Sequence, residues 1–355
     1  MKYFIFFTFV CLNIMSCTHQ KQTDDYKIVL GKVPNSAKFI DNQWYIWGGS
    51  VIESEGKYHM FYSRWPKKYH FNAWLTYSEV AHAVADSPTG PYKHVDVALP
   101  ERDSTFWDGH NTHNPTVKEF DGKFYLYYTG NHGDRVVKEK GYNWSHRNNQ
   151  RIGVAVADNI NGPWKRFDKP LLELSTDSLG HDALMMANPS VTRAPDGRYV
   201  LVYKCVGKKR KLPAGGPVVH MVAFSDAPTG PFKKYPEPIF TAEGHDFPAE
   251  DPYIWTQDDK FYAIVKDFRG TFTKQGQSLA LFESNDAISW SLSKNPLVST
   301  MKINWEEHVQ SVKHLERPQL FLKDGKPYAL MCAADTLDDR GVYQSFNVQI
   351  PIINH

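Results

Sequence analysis

The stretch Glu250-Asp251-Pro252-Tyr253-Ile254-Trp255-Thr256-Gln257-Asp258-Asp259-Lys260-Phe261-Tyr262-Ala263-Ile264-Val265-Lys266-Asp267 decides the fold. It reads as an acidic pair and a proline, a short apolar strand, an Asp-rich turn, and a second strand ending on Asp. The unit occurs five times. Gly49-Ser50-Val51-Ile52 leads to Lys57–Tyr62, Asn114-Pro115-Thr116-Val117 to Lys123–Tyr128, Asn188-Pro189-Ser190-Val191 to Arg198–Tyr203, and Arg317-Pro318-Gln319-Leu320 to Lys326–Met331. With Gly49, Pro115, Pro189, Pro252 and Pro318 as equivalents, the steps are 66, 74, 63 and 66 residues. So regular a period marks a repeat architecture.

Within each unit the two runs meet at a tight turn: Glu55-Gly56, Asp121-Gly122, Asp196-Gly197, Asp258-Asp259 and Asp324-Gly325. Asp-Gly between alternating apolar runs is a hairpin signal, because the turn requires positive φ. A third strand follows with its own signature. Ala81–Tyr92 (AHAVADSPTGPY) matches Gly153–Trp164 (GVAVADNINGPW) and Met221–Phe232 (MVAFSDAPTGPF), and Leu281–Trp290 is a degraded copy. Pro and Gly stop each strand, and the final aromatic is placed to cover the blade edge. Short strands at this spacing, with no amphipathic helix among them, predict an all-β fold, a five-bladed β-propeller over residues 26–355. Tyr26-Lys27-Ile28-Val29-Leu30 is the expected strand that helps close the ring.

At 355 residues two average domains would fit, but five equal repeats argue for one closed domain. A net charge of +2 gives no reason to expect nucleic acid as a partner. Residues 1–16, with Lys2 ahead of the apolar run Tyr3–Val10, read as a signal peptide rather than a membrane span. Cys17 after Ile14-Met15-Ser16 resembles a bacterial lipobox. The expectation is lipidation at Cys17, a polar tether over 17–25, and a lipoprotein of the bacterial cell envelope facing the periplasm or the cell surface. Membrane contact is then through the lipid alone. Cys205 and Cys332 fall at matching places in second strands and read as buried free thiols.

In a propeller the first strand of each blade lines the central channel, so the residues just before it gather at one mouth. That brings together Trp47-Gly48-Gly49, Asp108–Asn114, Asn188, Glu250-Asp251 and Glu316-Arg317. Long loops on a rigid scaffold are where function usually sits. Paired carboxylates across such a cleft suit glycoside hydrolysis, in which one donates a proton and the other activates water or attacks the anomeric carbon. Close like charges push their pKa values apart, so both roles coexist at one pH. Carboxylates before a proline also cap strands. Here both acidic pairs occupy the same repeat position one blade apart, while Asn114 and Asn188 hold comparable slots uncharged.

The pattern resembles the five-bladed propeller glycosidases, the group containing glycoside hydrolase families 43, 32 and 117. In these an Asp base, a pKa-tuning Asp and a Glu acid enter from different blades. By resemblance, Asp251 in Glu-Asp-Pro is the tuning residue and Glu316 in Glu-Arg-Pro-Gln the acid, 65 residues later. The chain departs from the pattern in its first blade, where Trp47-Gly48-Gly49-Ser50 stands in place of Asp-Pro. Asp108, in Phe106-Trp107-Asp108-Gly109-His110-Asn111, is then the chosen base. Family 117 uses a His as acid, which brings in His308 and His314 and turns Glu316 into a binding residue. The implied substrates there are α-1,3-linked 3,6-anhydrogalactosides.

Trp47, Trp65, Trp74 and Trp107 could stack on sugar rings; aromatics in propellers are more often packing, and Trp47 and Trp107 are singled out because they flank the mouth. Arg64, His110, His113, Asn188, Glu250, His308, His314 and Arg317 complete the substrate-binding set. No metal site is assigned, since no Cys or carboxylate completes the spacing of His110 and His113. No cofactor is expected, although a structural or water-coordinated metal ion in the channel is left open. The reading is an exo-acting glycosidase that releases a terminal sugar from a plant or algal oligosaccharide, with inversion implied by the resemblance. Two alternatives stand beside it. A glycoside phosphorylase would need Arg64 and Arg317 as a phosphate site, and a non-catalytic glycan-binding propeller would account for the missing first-blade Asp.

Overall fold

A computed structural model of the chain describes residue 1 and residues 26–338 and 340–353. The rest of the signal peptide, the tether and Cys17 lie outside them. Five antiparallel four-stranded sheets stand around a central channel as the blades of a propeller. From the channel outward, blade 1 is Trp44–Ser54, Lys57–Pro66, Glu79–Ala85 and Lys93–Leu99, and blade 2 is Asn111–Phe120, Lys123–Asn131, Arg151–Ala157 and Lys165–Arg166. Blade 3 is Met185–Arg193, Tyr199–Val206, Val218–Ser225 and Lys233–Lys234, and blade 4 is Ala249–Gln257, Lys260–Asp267, Ser278–Ser284 and Ser291–Thr300. Blade 5 takes Leu315–Lys323, Lys326–Leu337 and Tyr343–Pro351 from the C-terminal end. Its outermost strand, Lys38–Phe39, comes from the N-terminal end.

That exchange closes the ring, and it corrects one expectation. Tyr26–Leu30 forms no strand of the blade; Leu30 makes only an isolated bridge to Ile352, while Lys38 and Phe39 pair with Val348 and Asn347. Phe39 anchors the closing strand edge-on against Tyr62, with centroids 4.9 Å apart.

The hairpin turns behave as their sequences dictate. Glu55-Gly56, Asp121-Gly122, Asp258-Asp259 and Asp324-Gly325 all have two residues at positive φ, the form that matches strand twist. Trp164 packs on Phe61 of blade 1 (5.1 Å), and Trp290 on Phe240 (5.0 Å). The terminal aromatics of the third-strand signature thus fill the seams between elements. The apolar core lies mostly between blades, as where Trp255 and Ile264 of blade 4 meet Leu320 and Cys332 of blade 5. Cys205 and Cys332 are buried free thiols.

Every inner strand breaks register at the same place, between Trp47 and Gly49, His113 and Thr116, Ala187 and Ser190, Glu250 and Tyr253, and Glu316 and Gln319. At each break one residue is left-handed: Gly48 (φ 49), Asn114 (φ 51), Asn188 (φ 55), Asp251 (φ 50) and Arg317 (φ 52). A bulge bends its strand and re-aims a side chain. Five of them, related by the repeat, form a polar ring inside the channel.

Candidate active site

The ring is hydrogen-bonded around the channel. Asn114 Nδ2 donates to Asn188 Oδ1 (2.8 Å), and Asn188 Nδ2 donates to Asp251 Oδ1 (2.6 Å). The Arg317 backbone N–H donates to Asp251 Oδ2 (3.3 Å), and Arg317 Nη2 returns to the Asn114 carbonyl (3.2 Å). The fifth slot is glycine for a physical reason. A Cβ on Gly48 would stand 3.2 Å from Arg317 Cγ, so the arginine lies where a first-blade side chain would have been. Blades 2 and 3 are stitched to their predecessors, Asn114 N–H to Ser63 Oγ (2.8 Å) and Asn188 N–H to Thr129 Oγ1 (2.9 Å).

The residues one step earlier, Trp47, His113, Glu250 and Glu316, line a cavity of about 530 Å³ above the ring. Glu250 and Glu316 are 16% and 17% exposed. They converge on Lys266, whose side chain is 1% exposed: its Nζ is bonded to Glu316 Oε1 and lies 3.8 Å from Glu250 Oε2. Lys204 Nζ donates to Glu250 Oε1 at 3.2 Å. Burial pushes the Glu250 carboxyl above its usual range; Asp251 and Glu316 push the same way, against Lys204 and Lys266. Burial alone would lower Lys266, but Glu316 and Glu250 outweigh it and hold the ammonium above its ordinary value.

Aromatic residues make one wall: Trp47, Trp65, Phe71, Trp74, Tyr142 and Tyr343. Trp74 stacks on His113 with centroids 5.1 Å apart, and His113 Nδ1 meets Ser78 Oγ at 2.7 Å. Burial, then Arg317 and Lys204, hold His113 well below the usual imidazole range, so it is a neutral ring. His314 also lines the cavity. Its Nδ1 is 2.6 Å from Asp335 Oδ2, which leaves Nε2 as its unengaged nitrogen. Burial would raise Asp335, but its bonds to His314 bring the carboxyl below its usual range.

Of the residues singled out in the sequence, the cavity therefore gathers Trp47, His113, Asn188, Glu250, Asp251, His314 and Glu316, with Arg317 in the ring beneath. Five others stand elsewhere, each held by partners of its own. Asp108, the expected base, is fully buried between Arg102 Nε (2.6 Å), Tyr128 Oη (2.6 Å) and Arg166 Nη1 (3.4 Å). A carboxylate so enclosed presents no face to water in the cavity. Trp107 stacks on Tyr128 (5.7 Å) above Gly130 and Gly153 and so packs a strand rather than a sugar. Arg64 is tied to Glu79 and lies over the Trp44 ring, 4.1 Å from its centroid. His110 accepts from Gly133 N–H (3.2 Å) in a separate small recess beside Glu101 and Arg135. His308 is exposed beside Trp305, in the hairpin that precedes blade 5.

Sequence reasoning missed Lys204, Lys266 and Phe71, and set Trp65 and Trp74 aside as packing. The lysines stand opposite the key slots in register, Lys204 facing Ala187 and Lys266 facing Glu250. Their signal was legible: each interrupts the apolar interior of a second strand, YVLVYKCV and KFYAIVKD, the latter with Lys260 at its turn end. Phe71 and Trp74 come from the excursion between the second and third strands of blade 1, which ends in the short helix Trp74–Tyr77.

The ring residues do not suit a cation. Asn114 Oδ1 is a buried acceptor without a partner, but the fully buried Arg317 guanidinium already supplies positive charge there. Among the described residues, no cluster of three or more His, Cys, Asp or Glu side chains is arranged to hold a metal.

Residues 92–187 match the family model of glycosyl hydrolases family 43. A comparison with curated proteins finds no match. Among solved structures, a family 117 glycoside hydrolase produced by the marine bacterium Zobellia galactanivorans superposes with a TM-score of 0.63 at 16% identity, over 92% of this chain and 89% of that one. A family 43 β-xylosidase/α-arabinofuranosidase from a compost microbial metagenome gives 0.58 at 14% identity, over 93% and 96%. An endo-arabinase from Bacteroides thetaiotaomicron gives 0.54 at 16%, over 91% and 98%. The class these findings define is the five-bladed β-propeller fold, and the chain's likeness is to glycoside hydrolases. Within it, the chain resembles families 43 and 117.

Proposed function

We propose that the protein is a glycoside hydrolase whose working pair is Glu250 and Glu316. One observation carries this reading: two glutamates at equivalent positions of adjacent blades meet at the bottom of an aromatic-walled cavity and share one buried ammonium. Glu250, with its raised pKa, is the proton donor to the leaving oxygen. Glu316, bonded to Lys266, is the carboxylate that faces the anomeric carbon. This reverses the role that resemblance gave Glu316, and Asp251 then tunes Glu250 from the ring below.

Both carboxylates lie within reach of one ammonium, and in this reading they work as a retaining pair at about 5 Å rather than an inverting pair at about 6.5–9.5 Å, a departure from the inversion implied by resemblance. Glu316 attacks the anomeric carbon while Glu250 protonates the departing oxygen. Water, deprotonated by Glu250, then cleaves the glycosyl ester and frees Glu316. The enzyme is taken to be exo-acting, on a chain end of a plant or algal oligosaccharide. In this reading the protein acts from the bacterial envelope, held there by lipid on Cys17. The phosphorylase reading loses its support, because Arg64 and Arg317 are engaged by Glu79 and Asp251 and do not line the cavity.

A second reading rests on His314, whose unengaged Nε2 would donate the proton with Asp335 behind it. Aryl glycosides separate the two. If Glu250 is the acid, Glu250→Gln retains activity toward substrates with a good leaving group while losing about 10²–10⁴-fold on ordinary glycosides. If His314→Gln shows that pattern and Glu250→Gln does not, the acid is His314.

A further inference from the structure

We propose that Lys266 is a positioning residue that sets the opposed protonation states of Glu250 and Glu316. The inference rests on the reading of those two glutamates as the working pair. Lys266 lies on the second strand of blade 4, directly opposite Glu250 in register, and reaches across to Glu316 of blade 5. Its ammonium is also 4.9 Å from the centroid of Phe268. A lysine so nearly sealed from water is costly to bury unless paired, and here both partners are carboxylates that open on the cavity.

The charge balance explains why a cation belongs there. Two carboxylates at this range without a cation resist double ionisation, and one of them takes up a proton at a pH above its ordinary range. Lys266 favours the charged form of both, and its direct bond is to Glu316. The direct bond of the ammonium thus falls on Glu316, while Glu250, buried and 3.8 Å away, is the carboxyl pushed above its usual range. The other charged or titratable groups that face this trio are Lys204 from blade 3, Asp251 from blade 4, and Arg317 and Tyr343 from blade 5, with His220 behind Lys204. His220 is buried and, through that burial and Lys204, pushed down to about 3, so it contributes no charge near neutrality.

Loss of the ammonium raises the proton affinity of both glutamates. The acid limb of the activity profile, on which Glu316 must ionise, moves up, and the alkaline limb, on which Glu250 must keep its proton, moves up with it. The test is the pH profile of kcat/KM for wild type, Lys266→Met and Lys266→Arg, with a melting curve for each. Lys266→Met is expected to shift both limbs upward by about 1 unit or more, the usual effect of one nearby charge. Lys266→Arg, which keeps the charge, is expected to hold them near wild type. A lower kcat in Lys266→Met with unmoved limbs would make Lys266 a mere tie between blades and overturn the proposal.

A measurement on the wild type stands apart from any folding defect in the variants. Carboxyl-¹³C NMR of the glutamate-labelled protein is expected to show two coupled cavity carboxyls titrating in separate steps, one of which disappears and the other of which is displaced in Glu250→Gln. Joint titration at the ordinary glutamate value would equally overturn the proposal. Full activity in Glu316→Gln, by contrast, would overturn the reading of the working pair and not merely the role of Lys266.

Discussion

Arg317 lies across the first-blade slot of the ring, where Gly48 leaves the space open. Gly48 also sits at φ +49, a conformation that costs a side-chain-bearing residue about 1–3 kcal/mol. Gly48→Ala is therefore expected to destabilise the protein by at least that amount in urea unfolding, since the new methyl also presses on Arg317. An unchanged midpoint would mean that the arginine is not fixed there. Legibility at this scale followed the repeat. Glu250, Asp251, Glu316, Trp47, His113 and Asn188 were found because equivalent repeat positions must meet at one mouth. Asp108, Trp107 and His110 sit in an insertion before blade 2, whose path no periodicity fixes. Asp108 proved to be the anchor of that insertion, through Arg102, Arg166 and Tyr128. Lys204 and Lys266 carried a signal, but an isolated lysine in a strand gains meaning only once the strand opposite is known.

The closing strand is two residues long, too short to show alternation, which is why the apolar run Tyr26–Leu30 was the more visible candidate. Its hold on blade 5 depends on Phe39, buried against Tyr62 and near Tyr92. Truncating a buried Phe to Ala costs about 3–5 kcal/mol. Phe39→Ala should lower the melting temperature accordingly, because the ring opens where its two chain ends meet. A variant that melts with wild type would show that closure rests instead on the contacts of Val29–Gly31 with the last strand. The blades themselves were legible in advance, since turn chemistry and β-rich runs recur in each. The excursion that carries Phe71 and Trp74 has a counterpart in blade 2, ending in the short helix Trp144–Asn148, but the two share no repeated sequence that would reveal them.

Several histidines are folded into the molecule as neutral rings. Burial, the largest cause in each, lowers His82 and His146 to about 4 and His220 to about 3, from an ordinary value of 6.5. Below pH 6.5 the unfolded chain takes up protons that the folded chain refuses, so stability falls progressively as pH drops from about 6.5 toward 4. The melting temperature is expected to decline from pH 7 to pH 5; a flat profile would contradict the burial of these rings. Across the whole molecule the five-bladed architecture was readable from a period of about 66 residues. The division of roles proposed for Glu250 and Glu316 was not, because it depends on which ammonium lies beside which carboxylate.

The central claim is that Glu250 and Glu316 hydrolyse a glycosidic bond together. The most direct measurement is a proton NMR time course of residues 26–355, with Glu250→Gln and Glu316→Gln in parallel, against a panel of plant and algal oligosaccharides. The account predicts that wild type releases a terminal monosaccharide with its anomeric configuration retained, and that both variants lose at least about 10²-fold in rate. Wild-type turnover by Glu316→Gln, or tight sugar binding by the wild type with no release, would contradict it.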